Sequence, residues 1–379
     1  MTPAELSSTV LHAVRRAVDE DALRAPVPAR VRVERTRPGG RGDYACAVAL
    51  QLAGPAALPA LEVARILRER VADEPGVGRV EVTGPGFLSF TLDAPAARRR
   101  ALLAAVRERG LAYGHGDALR DETAHLHHAR EVRAAVTADA VRRLLAAQGA
   151  QVRASCEQAP DPDWARLGVT VDSCGAPPAS SAPVRPVPAG AAAAELLERL
   201  GPDAARWGLL RPAGHDRAQL GAGLLVQGEA NALFRVRYAH ARARALTRGA
   251  AALGFTAEQP SQAPEPSSSP EPPRPSEPSG SFEADAYEEG PARRLLDLVA
   301  DHPAVLLAAA RHRAPDRVAR QLEAVALAFF DFHDSCPPLP AGDEKPSAAH
   351  RARLVVAEAA GTVLAGGLSL LGIRAPEHL

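Results

Sequence analysis

The sequence predicts a chain in three parts: an α+β domain at the N-terminus, a truncated α/β piece, and an all-α helical bundle over the remainder. Three observations carry this. Helical and strand-like apolar spacings alternate over residues 1–114. A single loop-helix-strand pattern lies within 115–190. From 191 to 379 the periodicity is helical, interrupted by one Pro/Ser/Glu tract.

The N-terminal domain opens with Thr2 as a cap, Pro3 in the first turn and Glu5 at capping-box spacing, ahead of an apolar stripe Leu6, Val10, Val14 and Val18. The alternating run "RVRVERTR" predicts a strand. "ALPALEVARILRERV" predicts a helix buried on Leu61, Ala64, Leu67 and Val71. "VGRVEVTGPGFLSFTL" predicts two strands broken at Gly84-Pro85-Gly86, and a further helix ends near Gly110. The expected order is helix, strand, helix, hairpin, helix.

In the second part, "AREVRAAVTADAVRRLLAAQG" predicts a helix with Val132, Val136, Ala140, Leu144 and Leu145 on one side, stopped by Gly149. "QVRASCE" and "RLGVTVDS" both read as extended. Together these make one piece of a βαβ unit. Residues Cys174 to Gly190 are too rich in Pro, Ala, Ser and Gly to complete a whole doubly wound domain. In the third part, "RAQLGAGLLVQGEANALFRVRYAHARARALTRGAAALG" reads as one long helix or two abutting ones. A disordered insertion is expected over 259–285, followed by three more helices of a bundle.

Composition excludes several functions. Lys+Arg and Asp+Glu balance at 45 each, so no global charge excess argues for nucleic acid or membrane. No run approaches the roughly 18 continuous apolar residues of a membrane span, and no signal-peptide pattern opens the chain, so a cytoplasmic protein is expected. Cys46, Cys156, Cys174 and Cys336 form no C-x-x-C pair. His125, His127 and His128 crowd together. An extended segment would put only His125 and His127 on one face, short of the three or four ligands a zinc site takes, so no metal is expected. The densest local charge is Arg235, Arg237, Arg242, Arg244 and Arg248, with no acidic residue among them. Such a stripe is a solvated helix face or a binding surface. Its interleaving with Tyr238 and His240 favours the second, because unpaired bases stack on rings flanked by cations. Phe329, Phe330 and Phe332 read most simply as core, with room for one exposed stacking ring.

These residues carry a resemblance. "EANALFRVRYAHARARAL" resembles the first helix of the anticodon-binding domain of arginyl-tRNA synthetases, with Asn231, Phe234 and Tyr238 through Arg242 at recurring positions. "ELLERLGPDAARWGLL", "LAFFDFHDSC" and "AGGLSLLGIRAPEHL" are similar to later segments of the same enzymes. "RGDYACAVALQLA" and "VEVTGPGFLSF" are similar to their N-terminal domain, which in the family contacts the tRNA elbow. The resemblance implies an anticodon-binding bundle of the DALR type over 191–379. It also implies an N-terminal-like domain over 1–114 and, over 115–190, a truncated Rossmann remnant of the catalytic domain. The implied tRNA contacts are Tyr44 and Phe87 in the N-terminal domain, and Arg237, Tyr238, His240, Arg242, Phe332 and His333 in the bundle. Ala47 and Ser89 stand where the family has Asn.

The stretch "HLHHAREV" is similar to the family's His-x-Gly-His signature. His125 and His128 take the histidine positions and His127 the glycine position, where the adenine of ATP lies against bare backbone. The imidazole is expected to block ATP. The chain also lacks a lysine in the loop before "AAAAELLERLG", where the family has its second signature. The implied function is a noncatalytic tRNA-binding protein, with tRNA-Arg or a mimic as ligand and no cofactor. The alternatives are an arginine-tRNA ligase, alone or as a subunit, and a protein-interaction scaffold that does not bind tRNA. A protein partner could dock on the surface left by the missing catalytic domain.

Overall fold

The computed structural model describes residues 3–36, 41–72, 74, 76–92, 95–257 and 290–379. The chain forms two compact units, Met1–Ala104 and Ala105–Leu379. Thr2 and the tract expected to be disordered, 259–285, lie outside the described residues.

In the first unit α1 (Pro3–Asp19), α2 (Val48–Ala56) and α3 (Ala60–Val71) accompany an antiparallel sheet. Its order is β1 (Val33–Arg35), β2 (Tyr44–Cys46), β4 (Phe87–Leu92), β3 (Val77–Thr83). The stripe Leu6, Val10 and Val14 is buried against Leu67, Leu88 and Phe90. The hairpin breaks at Gly84 and Gly86, both at positive φ; a Cβ on Gly86 would sit 2.9 Å from the Ala60 Cβ, so β4 passes close over the start of α3.

Two expectations change here. Leu61 is 45% exposed and Val63 replaces it in the core, because the helix starts only at Ala60 and the buried ridge runs Val63, Ala64, Leu67, Val71. The sequence pattern also omitted β2 and α2. A three-residue strand has no readable period, and α2 is a nine-residue helix containing Gly54 and Pro55 that ends at Ala57 in the left-handed region.

Helix α4 (Pro95–Arg109) leads into the second unit, which opens with a four-stranded, all-parallel sheet. Its order is β7 (Ser173–Cys174), β6 (Gln151–Cys156), β5 (Thr123–His128), β8 (Ala182–Val184). Helix α5 (Val132–Ala147) crosses between β5 and β6 and packs on them. "RLGVTVDS" is mostly not a strand. A 3-10 turn, Pro162–Leu167, is capped by Asp161, stopped by Gly168 at φ 72° and anchored by buried Trp164 and Leu167; only Ser173 and Cys174 pair with β6.

Strand alternation sorts the sheet into two unlike faces. Leu126, Ala154 and Cys156 are buried with α5, whereas Thr123, Gln151 and Arg153 on the other face are exposed. Parallel sheets are ordinarily covered on both sides and apolar on both. On the second side of this one the strand starts, Thr123, Gln151 and Arg153, are polar and exposed, whereas His127 and Ser155 toward the strand ends are buried.

The helical part comprises α6 (Ala193–Leu210), α7 (Ala232–Ala252), α8 (Gly290–His312), α9 (Asp316–Ser335) and α10 (Ala348–Leu370). Helix α6 bends at Gly201-Pro202. The expected long helix from residue 217 is only α7. Asn231 caps α7 with its Oδ1 and donates its amide to Leu224 O and Val226 O, fixing the preceding residues as a loop with a 3-10 turn at Ala222–Leu225. Helix α10, the one continuous described helix long and apolar enough to span a membrane, is mostly buried in the bundle. Between α8 and α9, buried His302 donates from Nδ1 to Gln321 Oε1 at 2.7 Å, and burial pushes its pKa down to about 4.

Candidate nucleic-acid interface

Helix α7 presents two differently equipped faces. One carries Tyr238 and Arg242 toward α9. The Tyr238 ring, 43% exposed, lies parallel to Phe234 at 5.5 Å and stacked on Phe330 at 5.7 Å, so a three-ring ladder spans the two helices. One turn on, Arg242 Nε donates to His333 Nε2 at 3.2 Å. That nitrogen is therefore the acceptor, and the other, Nδ1, donates to Asp334 at 3.1 Å. Exposed rings, a guanidinium and an imidazole here lie within one turn of one another.

The helix packing buries two of the expected contacts, one on α7 and one on α9. His240 faces α10, donating from Nδ1 to Gly361 O at 3.0 Å, and burial lowers its pKa. Gly361 is required by that approach, since a Cβ there would meet the Ala243 Cβ at 2.9 Å. Phe332 has no exposed surface and belongs to the bundle core with Phe329, so its ring has no face to offer a base. Both expectations are corrected by the same fact: these side chains point into the helix packing.

The arginine stripe is acidic-free in sequence but not in space. Arg237 lies 3.9 Å from Asp203 of α6, and Arg244 3.2 Å from Glu377, while Arg235 donates to Glu229 O. In the N-terminal unit Phe87 is exposed, but Tyr44 is 5% exposed beneath the Arg35 guanidinium at 5.4 Å. Ser89 is buried and bonded to Thr83 at 2.9 Å. Of that pair only Phe87 is open to a large ligand.

The histidine cluster lies in β5. His125 Nε2 and His127 Nδ1 each lie 2.8 Å from Ser155 Oγ on β6, so one hydroxyl bridges both rings. His128 points to the other face, against Trp164 at 5.7 Å, with its pKa lowered by burial. Among the described residues no group of three or more His, Cys, Asp or Glu could hold a metal.

The strand-to-helix turn after β5 is made by Ala129, Arg130 and Glu131. Glu131 caps α5, accepting from Ala134 N at 2.8 Å and, through its other oxygen, from Ala189 N at 2.9 Å. A helix N-terminus attracts anions. Here a carboxylate already occupies it and would repel a second one.

Two turns of α5 are stitched inward in the same way. Arg133, 1% exposed, donates to the carbonyls of Leu209, Val187, Asp216, Pro212 and Ala213. Asp139, also buried, pairs with Arg206 at 2.7 Å, and Arg206 in turn donates to Leu167 O and Leu371 O. Sequence reading missed Glu131, Arg133, Asp139 and Arg206. The available signal was Arg133 itself, a charge set among Val132, Ala134, Ala135 and Val136 where no polar face exists.

Residues 4–92 match the arginyl tRNA synthetase N terminal domain, and residues 236–379 match the DALR anticodon binding domain. Both ends of the chain thus match in family order. The chain belongs to the arginyl-tRNA synthetase family. It is 26% identical over 577 positions to the arginine–tRNA ligase of Kineococcus radiotolerans, spanning 100% of each chain. This family member has only 379 residues, so roughly 200 positions of that alignment have no counterpart in it. To the arginine–tRNA ligase of Pseudarthrobacter chlorophenolicus it is 34% identical over 186 residues, 49% of this chain and 30% of that one. It therefore matches under a third of that relative's length.

The fold is shared with solved arginyl-tRNA synthetases. That of Thermus thermophilus superposes with a TM-score of 0.69 at 15% identity, covering 100% of both chains. That of Plasmodium falciparum gives 0.66 at 8% identity, covering 100% of this chain and 99% of that one. The α7–α9 surface lies largely within the segment that matches the anticodon-binding domain, and the parallel sheet lies between the two matched segments.

Proposed function

We propose that this chain is a noncatalytic tRNA-binding member of the arginyl-tRNA synthetase family, with tRNA-Arg or a mimic of its anticodon arm as ligand. The anticodon-binding domain supplies the capacity to hold tRNA; Tyr238, Arg242 and His333 form the surface, with Arg237 nearby and Phe87 as a separate contact in the N-terminal domain. Arginine neutralises backbone phosphate, while ring edges and imidazole meet unpaired bases.

The observation that carries the noncatalytic reading is the closed N-terminus of α5. Adenylation needs ATP phosphates to be received by unsatisfied N–H groups and cations. Here the Glu131 carboxylate sits at that end, accepting from Ala134 N and Ala189 N, and Arg133 is spent on five backbone carbonyls. These residues do not fit a nucleotide, and the small parallel sheet reads as a catalytic-domain remnant turned into a structural joint. A soluble cytoplasmic protein fits this role.

Arginine-dependent ATP–pyrophosphate exchange should read at background while gel-shift titration detects tRNA. Measurable exchange would reject the noncatalytic reading and favour the ligase alternative, which the full-span match to a ligase supports. Absence of any tRNA shift at low salt would favour the scaffold alternative.

A further inference from the structure

A face of α7 adjoining that of Tyr238 is covered by the segment that follows α10. That segment is pinned at its start. Leu371 O receives Arg206, Ile373 is 3% exposed, and Arg374 binds Asp203 through its backbone N–H at 3.2 Å and its Nε at 3.0 Å. Beyond Arg374 the character changes. Glu377 reaches Arg244 at 3.2 Å, and Arg248 donates to Glu377 O at 3.3 Å. The Arg244 and Glu377 side chains are 45% and 54% exposed, so this contact is screened by water and individually weak. Beneath the segment lies a cavity of about 970 Å³, walled by Arg237, Arg244, Thr247, Glu358 and Thr362. The segment is therefore held over α7 by charge and by little packing. Within the cavity wall Arg237 is under-partnered. Its Nε is buried with no hydrogen-bond partner among the described residues, and its nearest carboxylate, Asp203, is claimed by Arg374.

We infer that residues 375–379 are a strap over a second polyanion-binding surface, formed by Arg237, Arg244 and Arg248, in which the Glu377 carboxylate holds the place of an RNA backbone phosphate. The inference rests on the proposed tRNA binding and names a regulated part of it. The three arginines recur at positions 237, 244 and 248 along one side of α7, away from the Tyr238 ladder. A phosphate backbone carries more charge per length than one glutamate, so RNA displaces the strap when it reaches this face. The pinned Arg374 sets the hinge, because Leu370, Leu371 and Ile373 before it are buried and Arg374 itself is doubly bonded to Asp203.

The test uses the full chain, a variant ending at Arg374, and Glu377→Gln, each titrated by fluorescence anisotropy with a labelled tRNA transcript at several salt concentrations. Removal of the strap should tighten binding about 3- to 10-fold at low salt and steepen the log Kd against log salt slope by about 1 to 2, one phosphate contributing somewhat under 1. Glu377→Gln should give a smaller change of the same sign. Arg244→Ala with Arg248→Ala, placed in the shortened chain, should abolish the gain. If the full chain binds tRNA and neither strap variant tightens it, the strap inference is overturned and tRNA binding stands. If no form binds, both fall. If only the shortened chain binds, the strap is an on-off control and the inference holds in its strongest form.

Discussion

Arg133 and Arg242 carry the same guanidinium into opposite circumstances. Arg133 is sealed inside the second unit with five carbonyl partners, and burial works against its charged form, lowering its pKa. Arg242 stands on the surface of α7 with the His333 imidazole as its partner in a side-chain hydrogen bond. The first is structural cement and the second a free cation for a ligand. In a chain whose positive charge is almost entirely arginine, residue type alone therefore says nothing about role; the number of fixed acceptors around each guanidinium does.

Breaking the cement should have the largest effect. Arg133→Met keeps the stem but strands five carbonyls, those of Leu209, Pro212 and Ala213 in buried surroundings, and should cost upwards of about 3 kcal/mol in denaturant unfolding, with loss of cooperativity. A loss under about 1 kcal/mol would show that water replaces the guanidinium and the contrast is false. Next comes Asp139→Asn, which leaves Arg206 buried with carbonyls alone and should cost about 2 to 3 kcal/mol by the same measurement.

A buried neutral group sharpens the comparison without mutation of a charge. His302 keeps its pKa near 4 when folded, below the ordinary value of 6.5. The unfolded chain therefore takes up a proton first as pH falls. Stability is fully present above about pH 6.5 and declines as pH drops toward 4, by about 2 kcal/mol at pH 5. His302→Gln should flatten that part of the pH profile, read as unfolding midpoint against pH; an unchanged slope would remove His302 as its source. The smallest stability effect belongs to the surface: Arg242→Ala should change unfolding by less than about 0.5 kcal/mol yet weaken tRNA binding several-fold in gel shift. Equal losses in both measurements would mean that Arg242, too, is structural.

The legibility of the sequence follows the same division. Helix α5 and the β3–β4 hairpin were readable because their apolar periods run over many residues and end at glycines. Strands β7 and β8 have two and three residues, and their pairing is decided by distant partners, so no local pattern could announce them. At the candidate site, the helical spacing that brings Tyr238 and Arg242 to one side was visible, whereas the burial of His240 and Phe332 depends on where α10 and α9 lie. The three adjacent histidines drew attention to themselves, yet the decisive residue at that turn was the unremarked Glu131, whose meaning appears only once Ala189 is beside it.

The two-sided character of the four-stranded sheet has a practical corollary. With Thr123, Gln151 and Arg153 facing water, and edge strands of only two and three residues, the sheet offers another chain a short and polar edge to pair with.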